Sequence, residues 1–150
     1  MPIGELCIRQ VVVASPNTSV LEAAKLMRQF HVGDIVVTDE VKGKRAPVGI
    51  VTDRDIVIEV LAQGLDATGL SVGDIMIGDL ITVRENEGIF QTIQLMRAKG
   101  ARRAPVVNNE GTLVGIVSVD DMLELLAEEL GELAKLISHE QKREAEIRRS

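Results

Sequence analysis

Gly49-Ile50-Val51-Thr52-Asp53-Arg54-Asp55 and Gly115-Ile116-Val117-Ser118-Val119-Asp120-Asp121 are two versions of one signature in a single chain. Each runs from a glycine through apolar residues to a hydroxyl, with a carboxylate three residues beyond the hydroxyl. Further upstream, Val20-Leu21-Glu22-Ala23-Ala24-Lys25-Leu26-Met27-Arg28 is echoed by Ile89-Phe90-Gln91-Thr92-Ile93-Gln94-Leu95-Met96-Arg97. A duplication of this length sets the architecture, because each copy must fold as the same supersecondary unit.

Reading outward from the signatures gives the same element order twice. Val11-Val12-Val13 is a β-branched run that predicts a strand. Ser19 followed by Glu22 has capping-box spacing. Val20, Ala23, Ala24, Met27 and Phe30 then recur at helical spacing, with Gly33 near the helix end. Ile35-Val36-Val37 reads as a strand buried on both faces. Asp39 to Pro47 reads as a polar, basic loop carrying Lys42, Lys44 and Arg45. Val48 to Val51 is a third strand, and Asp53 to about Gln63 a second helix.

After a connector from Leu65 to Gly69, Ser71 to Met76 predicts a short helix, and the order then repeats. Ile81-Thr82-Val83 is a strand, Gly88 to Ala98 a helix and Ala104 to Val107 a strand. Asn108-Asn109-Glu110-Gly111 is a turn with glycine where positive φ is needed. Leu113 to Val117 is the last strand. The final helix begins near Val119 and outruns its counterpart. Leu123, Leu126, Leu130, Leu133 and Ile137 step along it by three and four, a coiled-coil-like seam. Such a stripe is more than one small repeat buries alone, which favours a dimer-packing helix. Gly131 lowers helix stability and marks a place for a bend. The expected fold class is therefore α/β: two tandem β-α-β-β-α repeats related by pseudo-two-fold symmetry, spanning 1–66 and 67–130, with a C-terminal helical extension at 131–150.

Composition narrows the function. The 150 residues are 45% hydrophobic and 27% charged, as in a packed domain. Aromatics are only 1%, and the net charge is −6. Both argue against nucleic acid, which is bound through stacking platforms and basic faces. The single cysteine, Cys7, excludes an intramolecular disulfide and a cysteine metal cluster, and reads as a small buried thiol. No apolar run is long enough to span a membrane, and no signal peptide is evident, so a cytoplasmic location is the expectation.

The signatures carry the chemistry. Thr52-x-x-Asp55 and Ser118-x-x-Asp121 both fit a capping box that satisfies backbone N–H groups and nothing more. Their recurrence after Gly-Ile-Val favours a second role. A helix N-terminus attracts anions, and a carboxylate accepts hydrogen bonds from the adjacent hydroxyls of a ribose. Phosphate on the helix end and ribose on the carboxylate together describe a nucleotide.

With these motifs, the chain resembles the tandem cystathionine-β-synthase-type domain pair, the CBS pair or Bateman module, over about residues 7 to 130. Each repeat has that family's element order and its Gly-h-x-(Thr/Ser)-x-x-Asp signature, where h is apolar. Asp74-Ile75-Met76 and Arg103-Ala104-Pro105-Val106-Val107 are further familiar patterns. The resemblance implies a regulatory module for adenosyl ligands: AMP, ADP or ATP, and in some members NAD or S-adenosylmethionine. It implies that Asp55 and Asp121 hold ribose hydroxyls and that Thr52 and Ser118 contact phosphate or ribose. Adenine would lie against the strands around Val32, Gly33 and Val36, and around Ala101 to Pro105, including Ala104. Thr82 sits where the family often places a phosphate-contacting threonine.

The two copies differ in charge. Arg54 in the first signature corresponds to Asp120 in the second, Thr82 to Val13, and Arg102 and Arg103 to Gly33 and Asp34. An arginine beside a helix N-terminus favours phosphate and an aspartate repels it. The stronger site is therefore expected around Arg54 and Asp55. Arg102 and Arg103 read equally as phosphate contacts and as a solvated pair. Asp53, Asp55, Asp120 and Asp121 are carboxylates available to a Mg2+ ion carried with nucleotide phosphates, a weaker reading than ribose binding. His31 and His139 have no evident catalytic partners, and no P-loop or HExxH motif occurs. The expectation is a non-enzymatic adenine-nucleotide sensor, a homodimer acting on an unidentified protein target. The alternatives are a dimerising scaffold with degenerate pockets and, behind it, a nucleotide-using enzyme.

Overall fold

The computed structural model describes residues 1–149 and contains two three-stranded sheets built alike. In the first, β1 (Val13–Ala14) lies parallel to β2 (Asp34–Val41), which pairs antiparallel with β3 (Lys44–Thr52). In the second, β4 (Val83–Arg84), β5 (Arg103–Val107) and β6 (Leu113–Ser118) are ordered the same way. Short helices α1 (Ile3–Leu6) and α4 (Val72–Ile75) precede the two sheets. The crossovers are α2 (Val20–Phe30) and α5 (Ile89–Lys99). After β3 come α3 (Asp53–Ile56) and a wider π-helical turn, Val57–Leu61. After β6 comes α6 (Val119–Arg149).

The predicted helix faces are largely the ones used. Val20, Ala23 and Met27 are buried, with Ser19 accepting a hydrogen bond from Glu22 N–H at 3.1 Å, while Phe30 is exposed. Ile35, Val36 and Val37 are fully buried, as their unbroken apolar run requires. α2 is capped by His31, which takes the left-handed conformation (φ 53°), two residues before the expected Gly33. Gly100 fills the same place after α5 with φ 66°.

Two further expectations are corrected. The segment Asp39 to Pro47 is a β-ribbon, not a loop. Glu40 pairs with Arg45 and Val41 with Lys44, and Lys42-Gly43 turns the chain with positive φ at both residues. The ribbon is polar because much of it stands in solvent, so it lacks the one-sided alternation that marks a half-buried strand. The strand expected at Ile81-Thr82-Val83 begins only at Val83. In the first repeat, Val36 N–H donates to Val12 O at 3.1 Å. The residue in that register in the second repeat is Pro105, which has no N–H to give.

The duplication extends to the segments that flank the sheets. Ile3-Gly4-Glu5-Leu6-Cys7-Ile8 matches Val72-Gly73-Asp74-Ile75-Met76-Ile77, and the two are exchanged in space. The N-terminal segment packs on the second sheet. Ile3 N–H donates to Glu87 O (2.7 Å), and Ile8 and Ile116 exchange two backbone hydrogen bonds of 2.9 Å. The later segment packs on the first sheet, where Val72 N–H donates to Thr18 O (2.8 Å) and Ile77 pairs with Ile50. Accordingly, Ile3 and Cys7 belong to the core of Val83, Ile89, Met96, Ala104, Val106, Val117 and Met122. Val72 belongs to the core of Ala14, Ala23, Met27, Ile35, Val37 and Val51.

Two glycines permit these contacts. A Cβ on Gly115 would stand 2.6 Å from Cys7 Sγ and 2.8 Å from Ile8 O, and one on Gly49 would stand 2.5 Å from Met76 Sδ. Burial pushes the Cys7 thiol pKa above its usual value, consistent with a packing role. Ile3→Ala is expected to lower stability by about 2–4 kcal/mol through lost transfer energy and a cavity. Gly115→Ala is expected to cost about 1–3 kcal/mol through overpacking. Urea unfolding followed by circular dichroism checks both, and a loss near zero for Ile3→Ala would mean that the N-terminal segment is not docked.

Candidate functional site

The end of β3 and the start of α3 form one wall of a cleft of about 590 Å³ between the repeats. Thr52, Asp53, Arg54 and Asp55 line this wall. The opposite wall comes from Lys99 and Gly100 at the end of α5 and from Ala101, Arg102 and Arg103 leading into β5. The floor is the connector Ile77, Asp79, Leu80 and Ile81, held beside β3 by the Ile50–Ile77 pairing. Five of the residues expected from sequence therefore meet here: Thr52, Arg54, Asp55, Arg102 and Arg103.

The first signature is a full capping box. Asp55 Oδ2 accepts from Thr52 N–H at 2.9 Å, and Thr52 Oγ1 accepts from Asp55 N–H at 3.1 Å. Asp55 Oδ1 makes no hydrogen bond among the described residues, so half of the carboxylate remains available. The second signature closes differently. Ser118 Oγ accepts from Asp121 N–H at 3.2 Å and also donates to Asp121 Oδ2 at 2.9 Å. Asp121 borders a smaller groove of about 170 Å³ with Leu6, Ile8, Glu124, Leu125 and Glu128.

The cations are not equally engaged. Arg103 Nε pairs with Asp34 Oδ2 at 3.1 Å, and both side chains are about one-third exposed. These residues occupy equivalent positions in the two repeats, so the pair joins the sheets across the pseudo-two-fold axis. Arg102 Nη2 lies 3.4 Å from Asp120 Oδ1, and this pair is largely solvated. Among the described residues, Arg54 and Lys99 have no ion-pair partner. The lining thus holds four basic and three acidic side chains, with two of the basic ones uncommitted. The positions equivalent to Arg54, Lys99 and Arg103 in the other repeat are Asp120, Phe30 and Asp34. The electrostatic contrast between the repeats is larger than the signatures alone suggest.

The remaining predicted residues lie elsewhere. Thr82 faces a separate groove of about 510 Å³ with Arg84, Glu87, Gln91, Asn108 and Asn109. Ala104 and Pro105 are buried within β5 and do not line the cleft. Val32 packs against the first core, and Gly33 O accepts from Asp53 N–H at 2.9 Å. Lys99 and Asp79 were missed by sequence reasoning. Lys99 carries a usable signal, since a lysine in the last turn of the crossover helix must sit beside the chain that leads into β5. Among the described residues, no three His, Cys, Asp or Glu side chains gather to hold a metal, and no helix is long and apolar enough to cross a membrane.

This geometry agrees with the comparisons to known proteins. Residues 3–62 and 72–128 each match the CBS domain family, and the chain belongs to it. It is 36% identical to the CBS domain-containing protein YhcV of Bacillus subtilis, covering 87% of this chain and 91% of that protein. It is 38% identical to an uncharacterized protein of Methanopyrus kandleri over 82% of this chain but only 61% of that relative. Among solved structures, the CBS domain pair of protein MJ0100 superposes with a TM-score of 0.73 at 28% identity, covering 86% of this chain and 98% of that one. That structure is a complex with 5′-methylthioadenosine and S-adenosyl-L-methionine. The fold is thus a CBS pair, a regulatory module of a kind that commonly binds adenosyl ligands.

The Arg103–Asp34 pair gives a direct check of the inter-repeat geometry. A double-mutant cycle with Arg103→Ala and Asp34→Ala is expected to show coupling of about 0.5–1 kcal/mol that shrinks as salt is raised. Chemical unfolding of the four proteins measures it. Coupling of zero at low salt would mean that the two strands do not meet as described.

Proposed function

We propose that the chain binds an adenine nucleotide (AMP, ADP or ATP, with NAD as a further candidate) in the Thr52–Asp55 cleft, and that ligand changes how the two repeats sit on a protein target. One observation carries this reading. A single cleft brings a half-free carboxylate, a helix N-terminus and the uncommitted cations Arg54 and Lys99 around an apolar wall of Ile50, Ile77, Leu80 and Ile81. Its volume lies within the usual range for small-molecule sites. The apolar wall suits adenine, Asp55 Oδ1 suits a ribose hydroxyl, and Arg54 and Lys99 suit phosphate. The adenosyl compounds bound by the CBS pair of MJ0100 support the same ligand class. A Mg2+ ion would enter only with nucleotide phosphates, beside Asp53 and Asp55. The Ser118–Asp121 site is the weaker one, because Asp34 and Asp120 replace its cations. The protein acts as a homodimer and as a regulator rather than a catalyst. The exposed seam of α6 favours a second reading, a dimerising scaffold without a working pocket.

A thermal-shift panel of AMP, ADP, ATP, NAD and S-adenosylmethionine, with guanine nucleotides as controls, separates these readings. A ligand that binds only the folded state at about 100 times its Kd adds roughly 2.7 kcal/mol and raises Tm. The shift is expected for adenosyl ligands and not for guanine nucleotides. Asp55→Asn keeps an acceptor for Thr52 N–H and should weaken every adenosyl ligand. Arg54→Ala should weaken phosphorylated ligands more than S-adenosylmethionine. If nucleotide-free protein shows no shift with any adenosyl ligand, the scaffold reading stands instead.

A further inference from the structure

We infer that the groove bordered by Arg84, Gln91 and Asn109 is a second ligand site, for a small hydroxylated anion: a sugar phosphate or a sugar acid. It stands apart from the Thr52–Asp55 cleft and does not depend on which ligand fills that cleft. β5 leaves the cleft at Arg103 and reaches the groove at Val107, about 13 Å further on. α5 likewise runs from the groove, which Gln91 and Thr92 line, to the cleft at Lys99.

Divergence between the repeats carries the inference. Where the first repeat has Glu22, Asp39 and Glu40, the second has Gln91, Asn108 and Asn109, and Arg84 stands in place of Ser15. The match of the last two amides is fixed by the strands. Thr38 pairs with Pro47 as Val107 pairs with Leu113, and the residues that follow are Asp39 and Glu40 in one repeat, Asn108 and Asn109 in the other. Each of the four changes removes a negative charge or adds a positive one. Exposure to water does not call for them, because a carboxylate is solvated at least as well as its amide. All four residues meet in one groove of about 510 Å³, within the usual range for small-molecule sites. The change in charge is therefore directed at an anion in that groove.

The side chains present define the class of anion. Among the described residues, those of Arg84, Gln91 and Asn109 have no hydrogen-bond or ion-pair partner. Asn108 Oδ1 accepts from the N–H groups of Glu110 and Thr112, both at 3.0 Å, which leaves its amide N–H groups for a ligand. A guanidinium holds a phosphate or a carboxylate through two parallel hydrogen bonds. Carboxamides both donate and accept, so they match hydroxyls. Glu87 is the one carboxylate of the lining. It accepts from hydroxyls and opposes a bare ion that has none to offer. Val83, Leu95 and Val107 add a small apolar surface for the C–H groups of a sugar ring.

Isothermal titration calorimetry of the full chain tests this. The probes are ribose 5-phosphate, glucose 6-phosphate and gluconate, with inorganic phosphate and glucose as controls. At least one probe is expected to bind with a Kd below about 1 mM, and at least about tenfold more tightly than either control. Arg84→Ala should weaken that probe at least about tenfold. Gln91→Glu combined with Asn109→Glu, which returns the charges of the first repeat, should weaken it as much. These side chains are exposed, so circular dichroism should show the native fold for both variants. Arg54→Ala, in the cleft, should leave the affinity within about twofold. The inference is overturned if no probe binds, or if inorganic phosphate binds as tightly as the sugars. It is equally overturned if a folded groove variant keeps the parent affinity, or if Arg54→Ala abolishes binding. No adenosyl compound enters these titrations, so their failure and a failed nucleotide panel remain distinct results.

Discussion

The two exchanged backbone contacts, Ile8 with Ile116 and Ile50 with Ile77, are what the rest of the molecule hangs on. Each repeat makes its own three strands, yet neither closes its core without a segment from elsewhere in the chain. Ile3 and Cys7 fill the second core, and Val72 fills the first. Backbone meets backbone at both places because residues 49 and 115 have no side chain. The same contacts position the cleft. Pairing Ile77 with Ile50 fixes the connector that runs through Asp79 to Ile81 directly beneath the Thr52–Asp55 turn. A loss of that pairing would open the floor of the cleft as well as the first core.

What could be read from the chain depended on whether a residue's role is local. Buried strands such as Ile35-Val36-Val37 and the amphipathic α2 announce themselves through periodicity, because burial on a regular element imposes it. The signatures were legible for a related reason. A capping hydroxyl and a carboxylate three residues later are a local hydrogen-bond solution, and duplication made them conspicuous. The short helix at Ser71 to Met76 was legible from its cap, but its match at 3–8 and the exchange of the two segments were not, because one turn of helix has no measurable period and the partners lie far away in sequence. The ribbon from Asp39 to Pro47 was missed because an exposed hairpin needs no apolar face. The short β4 follows from Pro105, whose missing N–H matters only once the parallel partner of β5 is known. Lys99 joins the cleft through tertiary placement, and its position in the last turn of α5 is the one sequence signal of it.

Duplication followed by divergence explains why two similar signatures need not make two similar sites. Their hydrogen bonds differ in the way that matters for a ligand. In the first, Asp55 spends one oxygen on its own helix cap and keeps the other. In the second, Asp121 also keeps one oxygen, but the Ser118 hydroxyl both accepts and donates within the turn, whereas that of Thr52 only accepts. The surrounding charge pushes in the same direction. Arg54 and Lys99 stand uncommitted at the first cleft, whereas Asp120 and Asp34 hold the corresponding places in the second and draw Arg102 and Arg103 toward themselves. Two of the four cleft cations are therefore paired already, Arg103 with Asp34 of the first repeat and Arg102 with Asp120 of the second. An anion entering the cleft competes with those carboxylates for Arg102 and Arg103, and the Arg103–Asp34 contact is the one that ties the two sheets together. On the proposed reading, ligand charge and the relative placement of the repeats are linked through this contact. That gives the pair a physical route from occupancy to shape.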